Sequence, residues 1–174
     1  TPAATRYVAL LRGVNVGGVN LKMAEVAAAF EDAGFTAVRT VLASGNVLLD
    51  SRSGVDGVRT KAERALRDRF GYDAWVLAYH LDTVAAINAG YPFEREVPDH
   101  HSYVTFVSDP QVLDELARLD PGPGETIARG ENVVYWQVPR AQPLHSAMGK
   151  TMGKKRYKSS TTTRNLRTLD KVLQ

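Results

Sequence analysis

The sequence predicts an α+β protein. A ferredoxin-like βαββαβ subdomain covers residues 1–91, and a second, smaller α+β subdomain over 92–174 ends in a helix and carries a basic C-terminal segment. Three observations predict this. Apolar runs and alternation mark four strands in the first half, and two stretches of helical period fall between them in the order β-α-β-β-α-β. A polar, proline-bearing stretch, Pro92 to His101, then separates a second round of strand and helix signals.

Arg6 to Arg12 is almost continuously apolar between its two arginines, which suits a central strand. Gly13 to Asn20 is a loop by composition. From Leu21 the apolar residues recur at Met23, Val26, Ala27 and Phe30, and Gly34 ends that helix. Thr36 to Ala43 is β-branched and alternating. Ser44-Gly45-Asn46 turns the chain, and Val47-Leu48-Leu49 returns it as a hairpin partner. Ser53 or Asp56 is the expected cap of the next helix, whose stripe is Val58, Ala62, Ala65, Leu66 and Phe70, with Gly71 as its stop. Asp73 to Tyr79 is the fourth strand, and Leu81 to Ala89 a short helix capped by Asp82.

The second round begins with a strand at Tyr103 to Val107 and a helix opened by Pro110. A hairpin follows, from Glu125–Ala128 to Val133–Val138. No equally clear fourth strand closes this half, so an internal duplication is suggested by element order alone. Thr163-Arg164-Asn165 reads as a helix start, and Leu166, Leu169, Val172 and Leu173 give that helix an apolar face.

Composition narrows the function. At 174 residues, 44% hydrophobic and 24% charged, the chain is of ordinary globular make-up. No run approaches the ~20 apolar residues of a membrane helix, and the start, Thr1 to Arg6, has no apolar signal region. The absence of cysteine removes disulfides, thiolate nucleophiles and zinc–thiolate sites, and fits a cytoplasmic protein. Residues 150–174 hold eight basic residues against Asp170 alone, a net of +7, while the other 149 carry 14 basic and 18 acidic, a net of −4. A basic block of this kind points to polyanions, with Lys150, Lys154, Lys155, Arg156 and Lys158 as its core.

Two motifs suggest a ligand. The loop Arg12 to Gly18 joins a strand to a helix, where backbone N–H groups can hold an anion. Arg12, Asn15, Gly17, Gly18 and Lys22 are its candidate residues. The second motif is Thr161 to Asn165 with Thr168, read as a helix cap rich in hydroxyl, amide and guanidinium groups. Gly149-Lys150-Thr151 is not a P-loop, because Leu144 stands where that pattern requires glycine. His80, His100, His101 and His145 lack metal-ligand spacing. Neither a nucleophile elbow nor a declared carboxylate pair is present, and no cofactor or metal is expected.

Leu11 to Gly18, the turn Ser44-Gly45-Asn46-Val47, and Thr162-Thr163-Arg164-Asn165 with Thr168 together resemble the bacterial family known as domain of unknown function 1697. The resemblance implies an α+β fold with a ferredoxin-like first part. It implies no activity.

Three functional readings follow. The first is a non-catalytic protein that binds a phosphate-bearing ligand or nucleic acid, through Arg12, Asn15, Gly17, Gly18, Lys22, Ser44, Asn46, Arg164, Asn165 and Thr168 and through the basic segment. The second is an enzyme acting on a small anionic substrate where those loops converge. The third is an oligomerising or partner-binding module. A concave pocket favours a small ligand, and a flat basic face favours nucleic acid.

Overall fold

The computed structural model describes residues 5–12, 20–42, 45–72, 74–95, 97–121, 124–139 and 160–173. Asn15, Gly17, Gly18, Ser44, Lys150, Lys154, Lys155, Arg156 and Lys158 lie outside the described residues. The chain divides into two units, Thr1–Ala85 with Lys171–Gln174, and Ala86–Asp170.

In the first unit the order is β1 (Thr5–Leu11), α1 (Met23–Asp32), β2 (Thr36–Val41), β3 (Asn46–Ser51), α2 (Val55–Phe70) and β4 (Val76–His80). The helix α3 (Leu81–Ala89) runs on from β4, and its residues from Ala86 onward belong to the second unit. The sheet is antiparallel in the order β2-β3-β1-β4, the ferredoxin-like arrangement predicted. The apolar run of β1 makes it a central strand buried on both faces. Tyr7, Ala9 and Leu11 form one of its faces. They pack with Val26 and Phe30 of α1 and with Val58, Ala62 and Leu66 of α2. Val8 and Leu10, on the other face, are buried too.

Two expected caps are corrected. Gly54 occupies the N-cap of α2, with no side-chain bond. The Ser53 backbone N–H donates instead to Ser51 Oγ at 3.1 Å, which closes a turn ahead of the helix. Asp56 and Asp82 lie within the first turns of α2 and α3, where a carboxylate complements the helix dipole without capping. Gly71 stops α2 in the left-handed conformation, as expected.

The second unit contains β5 (His100–Val107), α4 (Pro110–Ala117), β6 (Thr126–Arg129), β7 (Val133–Pro139) and β8 (Thr161–Asn165), in the sheet order β6-β7-β5-β8. A helix α5 (Leu166–Val172) starts directly after β8 and buries Leu166, Leu169 and Val172. Thr161 to Asn165 is therefore a strand and not a helix start. Three consecutive β-branched residues favour extended backbone. Thr163 also meets Thr105 across the sheet, with the hydroxyl oxygens 2.8 Å apart. His100 and His101 belong to β5 instead of a linker. No helix among the described residues is long and apolar enough to cross a membrane.

The two sheets correspond residue by residue. Tyr7 lies between Leu49 and His80, and Tyr103 between Trp136 and Asn165. Leu11 donates to the Gly45 carbonyl at 2.8 Å, and Val107 donates to the Asn132 carbonyl at 3.0 Å. Arg12 N–H donates to the Trp75 carbonyl at 3.2 Å, as Ser108 N–H does to the Ser160 carbonyl at 2.9 Å. In each unit the fourth strand passes straight into a helix, at His80-Leu81 and at Asn165-Leu166. The strand β8, which the sequence hides, completes the duplication.

Candidate functional site

A cavity of about 500 Å³ lies in the second unit. Arg95 lines it from the segment before β5, His100 and His101 from the start of β5, and Asn165, Arg167 and Asp170 from the β8–α5 junction. β5 and β8 are paired neighbours, so the start of one strand meets the end of the other. The wall is built, not incidental. Arg95 donates to the Asn88 carbonyl at 2.9 Å, to Asn88 Oδ1 at 2.8 Å and to Asp170 Oδ1 at 3.4 Å. Asn88 Nδ2 in turn donates to Asp170 Oδ1 at 2.8 Å. The guanidinium also lies over the Tyr91 ring, 5.8 Å from its centroid. A planar cation held in this way offers its remaining N–H groups without first losing side-chain freedom.

Val97, Pro98, Asp99, Ser102 and Leu166 complete the lining, and Ser102 belongs to a polar network beyond it. Gln137 Nε2 donates to the Glu94 carbonyl at 2.8 Å and to Ser102 Oγ at 3.2 Å. Burial pushes the Tyr91 hydroxyl up in pKa, and its bonds to Ser102 and Gln137 and the Arg95 charge act in the opposite direction. His100 Nδ1 lies 2.9 Å from the Pro98 carbonyl, which favours the tautomer with the proton on Nδ1 and a basic Nε2. Asp170 is engaged by Asn88 and Arg95, whereas Arg167 is exposed and in no ion pair among the described residues. The Arg167 backbone N–H donates to Asn165 Oδ1 at 2.8 Å, so Asn165 is the residue that caps the turn into α5. Among the described residues no group of acidic and histidine side chains could hold a metal.

The first unit presents a different surface. At the end of its sheet, Leu42, Gly45, Leu11 with Arg12, and Trp75 follow one another across the strand order β2-β3-β1-β4: Gly45 N–H donates to the Leu42 carbonyl, Leu11 N–H to the Gly45 carbonyl and Arg12 N–H to the Trp75 carbonyl. Leu42 and Trp75 are each 44% exposed, the exposed large hydrophobic residues among those described. Arg67 lies over the Trp75 ring, 5.3 Å from its centroid, and donates to the Ala74 carbonyl at 3.0 Å. Arg12 is half-buried, and that burial lowers its pKa.

The chain matches the model of the family described as "Protein of unknown function (DUF1697)" over residues 4–135. It belongs to this family. No curated protein matches it. Among solved structures it is similar to the conserved bacterial protein SP0830 from Streptococcus pneumoniae. The two share 24% identity and superpose with a TM-score of 0.81, over 98% of this chain and 97% of that one. That likeness is one of fold.

Of the residues singled out in this DUF1697 chain by sequence, Arg12, Lys22 and Asn46 lie in the first unit and Arg164, Asn165 and Thr168 in the second. Lys22 is the exposed N-cap residue of α1. Asn46 is fully buried, and its Nδ2 donates to the Val41 carbonyl at 2.8 Å, so its amide closes the β2–β3 turn. Arg164 is buried and donates to Thr162 Oγ1 at 2.7 Å and to the Thr163 carbonyl at 3.0 Å, and burial brings its guanidinium down to about 10. Thr168 is half-buried on α5. Of these, only Asn165 lines the cavity. Arg95, Arg167 and Asp170 were not singled out. Their signal, an arginine in a polar linker and two charges after an Asn-Leu step, is too common in sequence to select them.

Proposed function

We propose that the chain is a non-catalytic binding protein for a small phosphate-bearing molecule, held in the cavity of the second unit. The observation that carries this reading is the guanidinium of Arg95, fixed by Asn88 and Asp170 on the cavity wall. Arg167 adds a second cation, and Asn165 supplies a side-chain amide. Guanidinium groups pair with phosphate oxygens in bidentate fashion. The cavity volume suits a metabolite-sized ligand. A cytoplasmic setting goes with this reading, since phosphorylated metabolites abound there and the chain carries no cysteine.

The test is a thermal-denaturation screen against small phosphomonoesters and inorganic phosphate. A ligand present at 100 times its Kd stabilises the native state by about 2.7 kcal/mol, an upward shift of several degrees. The shift should vanish in Arg167→Met, whose exposed side chain is not needed for the fold. No shift with any phosphate compound at millimolar concentration overturns the reading.

The imidazoles of His100 and His101, both on the cavity lining, favour one second reading, acid–base catalysis on a small anionic substrate. Recovery of the bound ligand unchanged after long incubation supports binding alone. Conversion of the ligand supports the enzyme.

A further inference from the structure

The duplication provides an internal control for the exposed end of the first sheet. The second unit closes the same strand end with Ser108 and Ser160, through a backbone bond of the same kind as that between Arg12 and Trp75. It needs neither a cation nor an indole there. Three further differences fall at this same end. Residues 12–22 separate β1 from α1, whereas only Ser108 and Asp109 separate β5 from α4. Val41 pairs with Asn46 across the four residues Leu42 to Gly45, whereas Gly130 and Val133 enclose only Glu131 and Asn132. The longer turn carries the exposed Leu42 with φ at 61°, a conformation that costs a branched residue about 1 kcal/mol. The fold is satisfied by the short serine version, so the additions in the first unit call for another explanation.

Their chemistry is specific. Trp75 is exposed although its neighbours Ala74 and Val76 are buried. Arg67 already covers part of the ring, and a cation over an indole fixes its orientation. A rigid, half-exposed indole with a guanidinium over it is what unpaired bases stack on, because every base has a π-face and a phosphate attached. Arg12 follows Leu11 at the end of the neighbouring strand, one backbone hydrogen bond away from Trp75.

We infer that Trp75, with Arg67 and Arg12 at the same strand end, is a stacking site for an unpaired nucleobase and its phosphate. The inference does not rest on the cavity of the second unit. The base comes either from a free nucleotide or from a single strand of nucleic acid, and the two sources separate in the experiment.

Trp136 is buried, so quenching of exposed tryptophan fluorescence reports on Trp75. Adenosine monophosphate and a dodecameric oligoadenylate are titrated in parallel. Saturable quenching by the mononucleotide identifies a free nucleotide. Quenching by the oligomer alone identifies a strand. Anisotropy of the labelled oligomer, or equilibrium dialysis of the mononucleotide, then compares the wild type with Trp75→Ser and Arg12→Ser. Both variants install the residue that the second unit already tolerates at that position, and a far-ultraviolet spectrum checks that they fold. Trp75→Ser should weaken binding at least about tenfold, the value of one base stack. With the oligomer, Arg12→Ser should reduce the slope of log affinity against log salt by ~0.7, the loss of one phosphate contact. Trp75→Phe should restore most of the affinity. Absence of quenching by either probe, equal binding by Trp75→Ser, or displacement by ribose 5-phosphate as effectively as by adenosine monophosphate overturns the inference.

Discussion

Asn132 stands in the second sheet where Gly45 stands in the first. Both take positive φ, 60° and 90°, and both carbonyls accept from the last residue of the first strand of their unit. Asparagine tolerates the left-handed region, and glycine enters it freely. The two positions still differ in room. A Cβ on Gly45 would lie 2.7 Å from Leu11 Cβ, closer than carbon atoms approach.

Gly45→Ala is therefore expected to cost about 2–4 kcal/mol, from left-handed strain plus a displaced Leu11 in the core. Asn132→Gly relieves backbone strain while loosening the unfolded chain, and should change stability by less than about 1 kcal/mol. Urea melts of the two variants test this. Equal costs would mean that the turn around Gly45 yields, and that its glycine is not set by packing against Leu11.

Thr105 is fully buried at the centre of the second sheet and links three elements. Trp136 Nε1 donates to its Oγ1 at 2.9 Å, and the Thr163 hydroxyl meets it at 2.8 Å. Thr105→Val keeps the shape and removes that oxygen from beneath the indole. A buried donor left without its acceptor costs ~1–3 kcal/mol. Denaturant melts should show a loss in that range, with Trp136 emission altered in the folded state. A neutral result would mean that Trp136 finds another acceptor.

The same threonines explain what was legible in the sequence. The first unit could be read because Arg6 to Arg12, the hairpin through Ser44-Gly45-Asn46 and the stripe of α2 each follow a single period. β8 could not, because five residues leave little room for alternation and an amphipathic helix abuts them directly. A threonine run before such a helix satisfies the cap pattern equally well, and only the pairing with β5 decides between them. The duplication was masked for a related reason. In the strands the equivalent positions keep Tyr7 and Tyr103, Val8 and Val104, and Val47 and Val134, but Gly45 becomes Asn132 and Trp75 becomes Ser160. Register survives where identity does not, because a sheet needs burial on the right face and tolerates many side chains that supply it. The cavity was least legible of all. Arg95 and Asp170 are brought together by the fold from distant places in the sequence.

Alkaline pH provides the last prediction. Tyr72, Tyr79, Tyr91, Tyr103 and Tyr135 all have their pKa raised above the usual 10, chiefly through burial. Each prefers its neutral form more strongly in the folded protein than in the unfolded chain. Their contribution to stability is complete below pH 10 and is lost as the pH rises above it, because the unfolded chain then releases protons that the native state retains. Arg164 acts with the opposite sign. Burial lowers its pKa to about 10, so the native state gives up its proton before the unfolded chain does, and stability gains as the pH rises above about 10. Arg12, whose pKa burial also lowers, acts in the same direction as Arg164. With five tyrosines against two arginines, the net expectation is a fall in stability above pH 10. Tyrosinate absorbance of the native protein should rise later than that of the urea-unfolded chain. Tyr79 carries the strongest shift of the five, so Tyr79→Phe should flatten the alkaline limb of a plot of unfolding free energy against pH, whatever its cost at pH 8. An alkaline limb of the same steepness in the variant would mean that Tyr79 ionises in the native state as freely as in the unfolded one.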